Sequence, residues 1–233
     1  RQVLSGIPMF IEPFFLTPSS LNTVSSIGGE LGKKGYYTAF FHGADNGSMG
    51  FEAFARTAGY THYFGRTEYN EANPDNKDFD GHWGIWDEKF FQFFGNTLSG
   101  FQQPFAAALF SLSSHHPFAV PAEYEGVFPK GNKPIRQCIG YTDNALKLFF
   151  EKVSKEPWYK NTLFVFTADH TNSPERPEYE TESGLFSVPV VFYQPGSDLK
   201  GFRKDVIAQQ IDIMPTVLGY LGSVSYTHLT LPT

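Results

Sequence analysis

An α/β fold with a mostly parallel sheet is what this sequence predicts, and three near-continuous apolar runs separated by amphipathic segments are the reason. The runs are residues 104–112 (PFAAALFSL), 162–167 (TLFVFT) and 188–193 (VPVVFY). Each has strand length, and unbroken rather than alternating apolarity is what a strand covered on both faces requires. Between the first two, residues 141–155 read as an amphipathic helix with Ala145, Leu146, Leu148, Phe149 and Val153 as its apolar set. Strands alternating with helices of that length build parallel sheets. In such sheets the chemistry sits beyond the carboxyl ends of the strands, so the residues following each run are the place to look.

The remaining elements follow in chain order. Residues 1–5 read as the end of a helix broken at Gly6-Ile7-Pro8. Residues 21–34 have helical apolar spacing and stop at Gly35; residues 36–42 form a short aromatic strand ending before Gly43. Residues 49–58 read as a helix ended by Gly59, with a short strand at 60–65. The Asn-, Asp- and Gly-rich stretch 69–83 reads as a loop. A helix is predicted over 87–94, with Asp87 and Glu88 in the first turn, where acids favour the helix dipole. A last helix spans 207–221 and passes through Pro215. Residues 223–233 (SVSYTHLTLPT) differ in character from the rest and read as a non-native tail, the alternative being a genuine final strand; His228 is set aside with them.

Composition bounds the function. The chain has 233 residues, 41% hydrophobic and 18% charged, which suits one domain or one large domain with pieces missing. Its 25 Phe, 12 Tyr and 3 Trp predict a ring-filled core and some aromatic cleft lining. A net charge of −6 argues against nucleic acid as the partner. The single cysteine, Cys138, excludes an intrachain disulfide and a thiolate metal cage, and with no base beside it reads as a small buried hydrophobe. No apolar run is long enough to span a bilayer, and no signal peptide is visible. The chain opens without Met inside a helix end, so the expectation is that the domain starts upstream of Arg1.

Two strand ends carry the chemistry. Asp169-His170 follows the 162–167 run and precedes a polar loop, 171–182. A carboxylate and an imidazole together suit Zn²⁺, Mn²⁺ or Mg²⁺. The plainer reading is a capping Asp followed by a surface His; the place at a strand's end favours the metal. His115-His116 follows the 104–112 run through Ser113 and Ser114. A histidine there can bind an anionic ester oxygen or protonate a leaving group, or both rings can be ordinary loop residues before Pro117. His42 is a third strand-end histidine, and Asn46 in the loop after it is a candidate substrate contact beside Asp45 and Ser48. Trp83, Trp86 and Asp87 read as packing. Gly28-Gly29 lacks the strand-then-helix placement of a phosphate-cradling loop, and no Gly-x-Ser-x-Gly elbow occurs.

These residues stand in a set of short stretches with a familiar order. They are Ser5-Gly6-Ile7-Pro8, Gly35-Tyr36 running to Phe41-His42-Gly43, Trp83-Gly84-Ile85-Trp86-Asp87, residues 111–118 (SLSSHHPF), Tyr141-Thr142-Asp143-Asn144-Ala145-Leu146, Ala168-Asp169-His170, and Asp212-Ile213-Met214-Pro215-Thr216. In this order the chain resembles the sulfatase-like branch of the alkaline phosphatase superfamily, most closely the lipoteichoic acid synthase type. The resemblance covers residues 1–222, as the C-terminal part of a catalytic domain, and implies an α/β/α sandwich with a metal site at the sheet edge. It implies that Asp169 and His170 ligate one divalent metal ion, Mn²⁺ favoured, and that His115 contacts the substrate phosphate, with His116 where Tyr is common. The remaining metal ligands, an acid and a Thr or Ser nucleophile, would lie upstream of Arg1. Where lipoteichoic acid synthases carry a Trp and an Arg that contact glycerol phosphate, this chain has Met49 and Phe51. Loss of that guanidinium argues against polyglycerol phosphate as the substrate.

The implied activity is transfer or hydrolysis of phosphate or sulfate esters, of phosphoglycerol or phosphoethanolamine type, on a lipid- or glycan-linked substrate of the cell envelope. Members of this type sit outside the cell membrane, held by upstream helices. Two rivals remain at this point: a non-catalytic homologue that binds a polyanion or carbohydrate, and a metal-free acid/base enzyme using His115 and Asp169.

Overall fold

The computed structural model describes residues 2–7 and 24–223. The predicted tail from 224 on and the start of the 21–34 segment lie outside the described residues. The chain divides into two compact units. The first takes residues up to Glu71, Phe101–Phe110 and the chain from Ile207; the second takes Ala72–Gly100 and Ser111–Val206.

In the first unit, β1 (Tyr37–His42) is the central strand of a three-stranded sheet, between β2 (His62–Phe64) and β3 (Phe105–Phe110). Both pairings are parallel, as the sequence predicts. The register sets Phe40 beside Tyr63 and Ala108, and Phe41 beside Phe64 and Leu109. Alternation then sends these two rows to opposite faces. The Phe40 face meets α3 (Phe51–Thr57) through Phe54, Ala55 and Ala58. On the same face, Ala106 packs into a second cluster of Leu31, Met214 and Leu218 from α2 (Ile27–Gly32) and α7 (Ile213–Tyr220). The Phe41 row stacks on Phe64, centroids 4.6 Å apart, and on Phe101.

Local chemistry trims the predicted helices. The 21–34 segment turns helical only at Ile27, because Ser26 is extended and its hydroxyl accepts the Gly29 N–H at 3.0 Å as an N-cap. Gly28 and Gly29 serve close packing: a Cβ at Gly28 would lie 2.5 Å from the Tyr60 ring. α7 begins at Ile213, after a 3-10 turn at Gln210–Asp212 capped reciprocally by Gln209 and Asp212. Pro215 is then the third helical residue, where its missing N–H is no loss. The 69–83 stretch differs from the loop expected of it at its start, which belongs to α4 (Arg66–Ala72). At the N-terminus, α1 (Gln2–Ser5) stops at Gly6, whose φ is +63°.

In the second unit, α5 (Asp87–Ser99) packs on α6 (Ile135–Val153). Cys138, Tyr141, Ala145, Phe149 and Val153 are buried along one stripe of α6, and Phe149 stacks on Phe94 at 5.5 Å. Gly95 lets the helices close up, since a Cβ there would stand 3.1 Å from Val153. β4 (Phe164–Thr167) pairs with β5 (Val190–Tyr193) in antiparallel fashion, with Phe150 of α6 on Phe164 at 5.1 Å. Unbroken apolarity in these runs led to an expectation of cover on both faces. Instead β3 and β4 are half-buried along their length, and β5 alternates between half-buried and exposed. β3 is an edge strand and β4–β5 a lone pair among the described residues, so neither is enclosed by neighbours within its unit. No described helix is long and apolar enough to cross a membrane.

Candidate functional site

The His115 group belongs to the second unit. His115 and His116 are exposed on the loop that follows β3. His115 Nδ1 lies 3.0 Å from His116 O. A carbonyl only accepts, so Nδ1 carries a proton and Nε2 is the ring nitrogen left for another partner. The Trp83 indole stands edge-on to the His115 ring at 4.6 Å, and its Nε1–H donates to the same His116 carbonyl at 2.6 Å. Trp83 is itself set by Asp80, whose Oδ1 accepts the N–H groups of His82, Trp83 and Gly84 at 2.8, 2.8 and 3.0 Å. Trp83 therefore packs, as expected, but against a candidate site residue. Trp86 packs on Tyr141, centroids 6.0 Å apart.

Below this loop lies a fully buried carboxylate. Asp87 accepts the Leu112 N–H at 2.9 Å, the Ser113 N–H at 3.1 Å and the Thr142 hydroxyl at 3.1 Å, while its own N–H donates to Ser113 Oγ at 3.0 Å. Burial pushes its carboxyl up to about 6, against the pull of these hydrogen bonds. Asp87 thus joins the start of α5, the end of the β3 run and α6. Its neighbour Glu88 receives the Tyr124 hydroxyl and holds the Tyr124 proton, with that phenol pushed up to about 12. Packing was the sequence reading of Asp87; its anchoring of the segment before His115 was missed. The Trp-Gly-Ile-Trp-Asp spacing carried no hint of it, because its partners lie 25 to 55 residues away.

The second group is Asp169 and His170, exposed directly after β4. His170 Nδ1 lies 3.0 Å from Thr171 O, which makes it the protonated nitrogen, and Nε2 faces Asp169 Oδ2 at 3.4 Å. Two acceptor atoms so placed could be bridged by one divalent ion. A hard carboxylate oxygen with a borderline imidazole nitrogen fits a divalent ion. Among the described residues no group of three His, Cys, Asp or Glu joins them, so the described chain offers two donors rather than a full shell. Thr171 is pinned in turn, its N–H donating to Leu185 O at 2.6 Å. Gly184 makes that turn, for a Cβ there would meet Glu178 O at 1.9 Å.

The third group sits in the first unit. His42 is buried, with Nδ1–H donating to Phe110 O at 3.0 Å and Phe51 over its ring at 4.3 Å. Desolvation lowers its pKa below the usual imidazole value, so it is a neutral core histidine. Asn46 Nδ2 donates to the Glu68 carboxylate, 3.1 Å from each oxygen, and its Oδ1 accepts the Thr67 N–H at 3.3 Å. Its amide is occupied in fastening this loop to the start of α4. Met49, which stands where the resembling enzymes carry Trp, is largely exposed, and Phe51 is turned into the core.

With two strand-end groups of this chemistry in place, comparison with known proteins decides the kinship. The Sulfatase family model matches residues 2–223. The chain belongs to the sulfatase family. Among curated relatives, "Lipoteichoic acid synthase 2" of Bacillus subtilis is 26% identical over 86% of this chain and 33% of its own length. The sulfatase-family chain thus spans about a third of the length of such relatives. A protein of the alkaline phosphatase superfamily from Vibrio parahaemolyticus superposes with TM-score 0.79 at 24% identity, over 94% of this chain and 53% of that one. The lipoteichoic acid synthase LtaP of Listeria monocytogenes superposes with TM-score 0.78 at 22% identity, over 95% of this chain and 58% of its own. Both likenesses support the α/β fold of that superfamily. Cys138 is buried, as expected, and desolvation pushes its thiol up to about 11, which leaves it no nucleophilic role.

Proposed function

We propose that this chain is the metal- and phosphate-binding part of a sulfatase-family transferase that moves a phosphoester group, of phosphoglycerol or phosphoethanolamine type, to a lipid- or glycan-linked acceptor of the cell envelope. The observation that carries this reading is the Asp169–His170 pair after β4, with its two acceptors facing at 3.4 Å. Family membership and the kinship with lipoteichoic acid synthases support the phosphoester side. Asp169 Oδ2 and His170 Nε2 would hold one divalent ion, Mn²⁺ by preference, which when bound neutralises charge on the transferring group. His115, with Nδ1 held by His116 O and its ring set by Trp83, would contact a phosphate oxygen by donating Nε2–H once that nitrogen takes up a proton; His116 lies beside it as a second contact. Asn46 would contact substrate from a side chain that Glu68 holds in place. As the resemblance implies, the nucleophile would come from sequence outside this chain, and the catalytic domain would work outside the cell membrane. Met49 and Phe51 supply no guanidinium at the two positions where the resembling enzymes carry Trp and Arg, which argues against polyglycerol phosphate, although the Arg66 guanidinium reaches this loop at Asp45, 3.2 Å away.

The test is metal content by elemental analysis of the full-length protein beside His170→Ala. About one divalent ion per chain, lost in the variant together with phosphoester turnover, is expected. Full metal in both proteins, or none in either, removes the proposed role of the pair.

A further inference from the structure

We infer that the first turn of α6 and the residues leading into it clamp both candidate loops at once, with Lys133 and Arg136 as positioning residues for Asp169 and His170. The inference rests on the reading of that pair as metal ligands. Four successive grips run from this one helix end. Gln137 Nε2–H donates to Phe118 O at 2.9 Å and Cys138 Sγ to Ala119 O at 3.4 Å, holding the chain just past His115-His116. Lys133 Nζ donates to Pro174 O, and the Arg136 guanidinium takes Glu175 in a fork, Nε to Oε1 at 2.7 Å and Nη2 to Oε2 at 2.5 Å. These hold the chain just past Asp169-His170.

The geometry favours transmission rather than a loose surface contact. Arg136 lies across Gly131, where a Cβ would come within 2.6 Å of its Cδ, so its stem has a prepared bed. The bidentate fork fixes orientation as well as distance. Pro174 has a locked φ and restricts Ser173 before it, so anchoring at 174 and 175 limits the few residues back to Thr171. Thr171 O is the acceptor that orients His170 Nδ1. Groups that orient a ligating histidine tune metal affinity although they never touch the ion.

The test is Mn²⁺ titration calorimetry on the full-length protein: wild type, Arg136→Ala, Glu175→Ala, the double variant, and His170→Ala as control, each with a thermal melt in chelator. Expected are a Kd for Mn²⁺ raised roughly tenfold in each Arg136 or Glu175 variant, no further loss in the double variant, and metal-free melts close to wild type. Loss of binding in His170→Ala with an unchanged Kd in Arg136→Ala overturns the clamp and leaves the ligand reading standing. Additive losses in the double variant, or weakened binding matched by an equal fall in the metal-free melting temperature, also overturn it. An unchanged Kd in His170→Ala overturns both.

Discussion

Tautomer is settled residue by residue in this chain, and by backbone carbonyls. His115 and His170 each give Nδ1–H to a carbonyl one residue on, at 3.0 Å, which leaves Nε2 as the working atom in both. His42 makes the same kind of bond to Phe110 O, but aromatic cover removes it from solvent. One strand-end rule therefore yields two exposed candidates and one core residue, and only the neighbours distinguish them. Trp83 is the neighbour that matters at His115. Trp83→Phe keeps a ring against the imidazole and loses the 2.6 Å bond, while Trp83→Ala loses both. In the full-length enzyme we expect kcat/KM for a phosphoester to fall about fivefold in the first, on the scale of one hydrogen bond, and further in the second. Wild-type rates in both variants, with unchanged circular dichroism, would remove Trp83 from the site.

At the scale of elements, Asp87 does most to join pieces that are distant in sequence. It caps nothing outside its own network, yet it ties α5, α6 and the segment leading to His115 through one carboxylate. Its folded pKa of about 6 exceeds the unfolded value, so the native state binds more protons between about pH 4 and 6. The resulting stability is fully present below about pH 4 and lost as pH rises through about 6, at most about 3 kcal/mol. His42 works in the opposite sense: its lowered pKa makes stability fall as pH drops below about 6.5. Chemical denaturation of wild type and Asp87→Asn across pH 4–8 separates them, because only the Asp87 slope vanishes in the variant. Asn also sets a donor against the Ser113 N–H if its amide nitrogen takes the place of Oδ2, so we expect a loss of roughly 1–3 kcal/mol at pH 5. A difference between the two proteins that is flat in pH would show that Asp87 does not titrate in this window.

For the whole molecule, metal binding and stability are linked. An ion that binds only the folded state at a hundred times its Kd adds about 2.7 kcal/mol. Full-length wild type should gain about that much on Mn²⁺ addition and lose it to a chelator, while His170→Ala should gain nothing; equal gains in both would place the ion elsewhere. Much of this was legible in the sequence. Strands could be read from apolar runs and α6 from its 3.6-residue stripe, because these signals are local and periodic. Boundaries at Ile27 and Ile213 were not legible, since a cap hydroxyl and a 3-10 turn decide them within one or two residues. The antiparallel β4–β5 pair, the hub at Asp87, the Asn46–Glu68 bond and the grip of α6 on two loops were decided by tertiary structure alone. Each depends on partners brought together across tens of residues, and a linear pattern carries residue type and period but not who meets whom. The sequence by itself thus determined which residue types follow the strands; the folded structure decided which of them stand exposed, as His115 and His170 do, and which are buried, as His42 is.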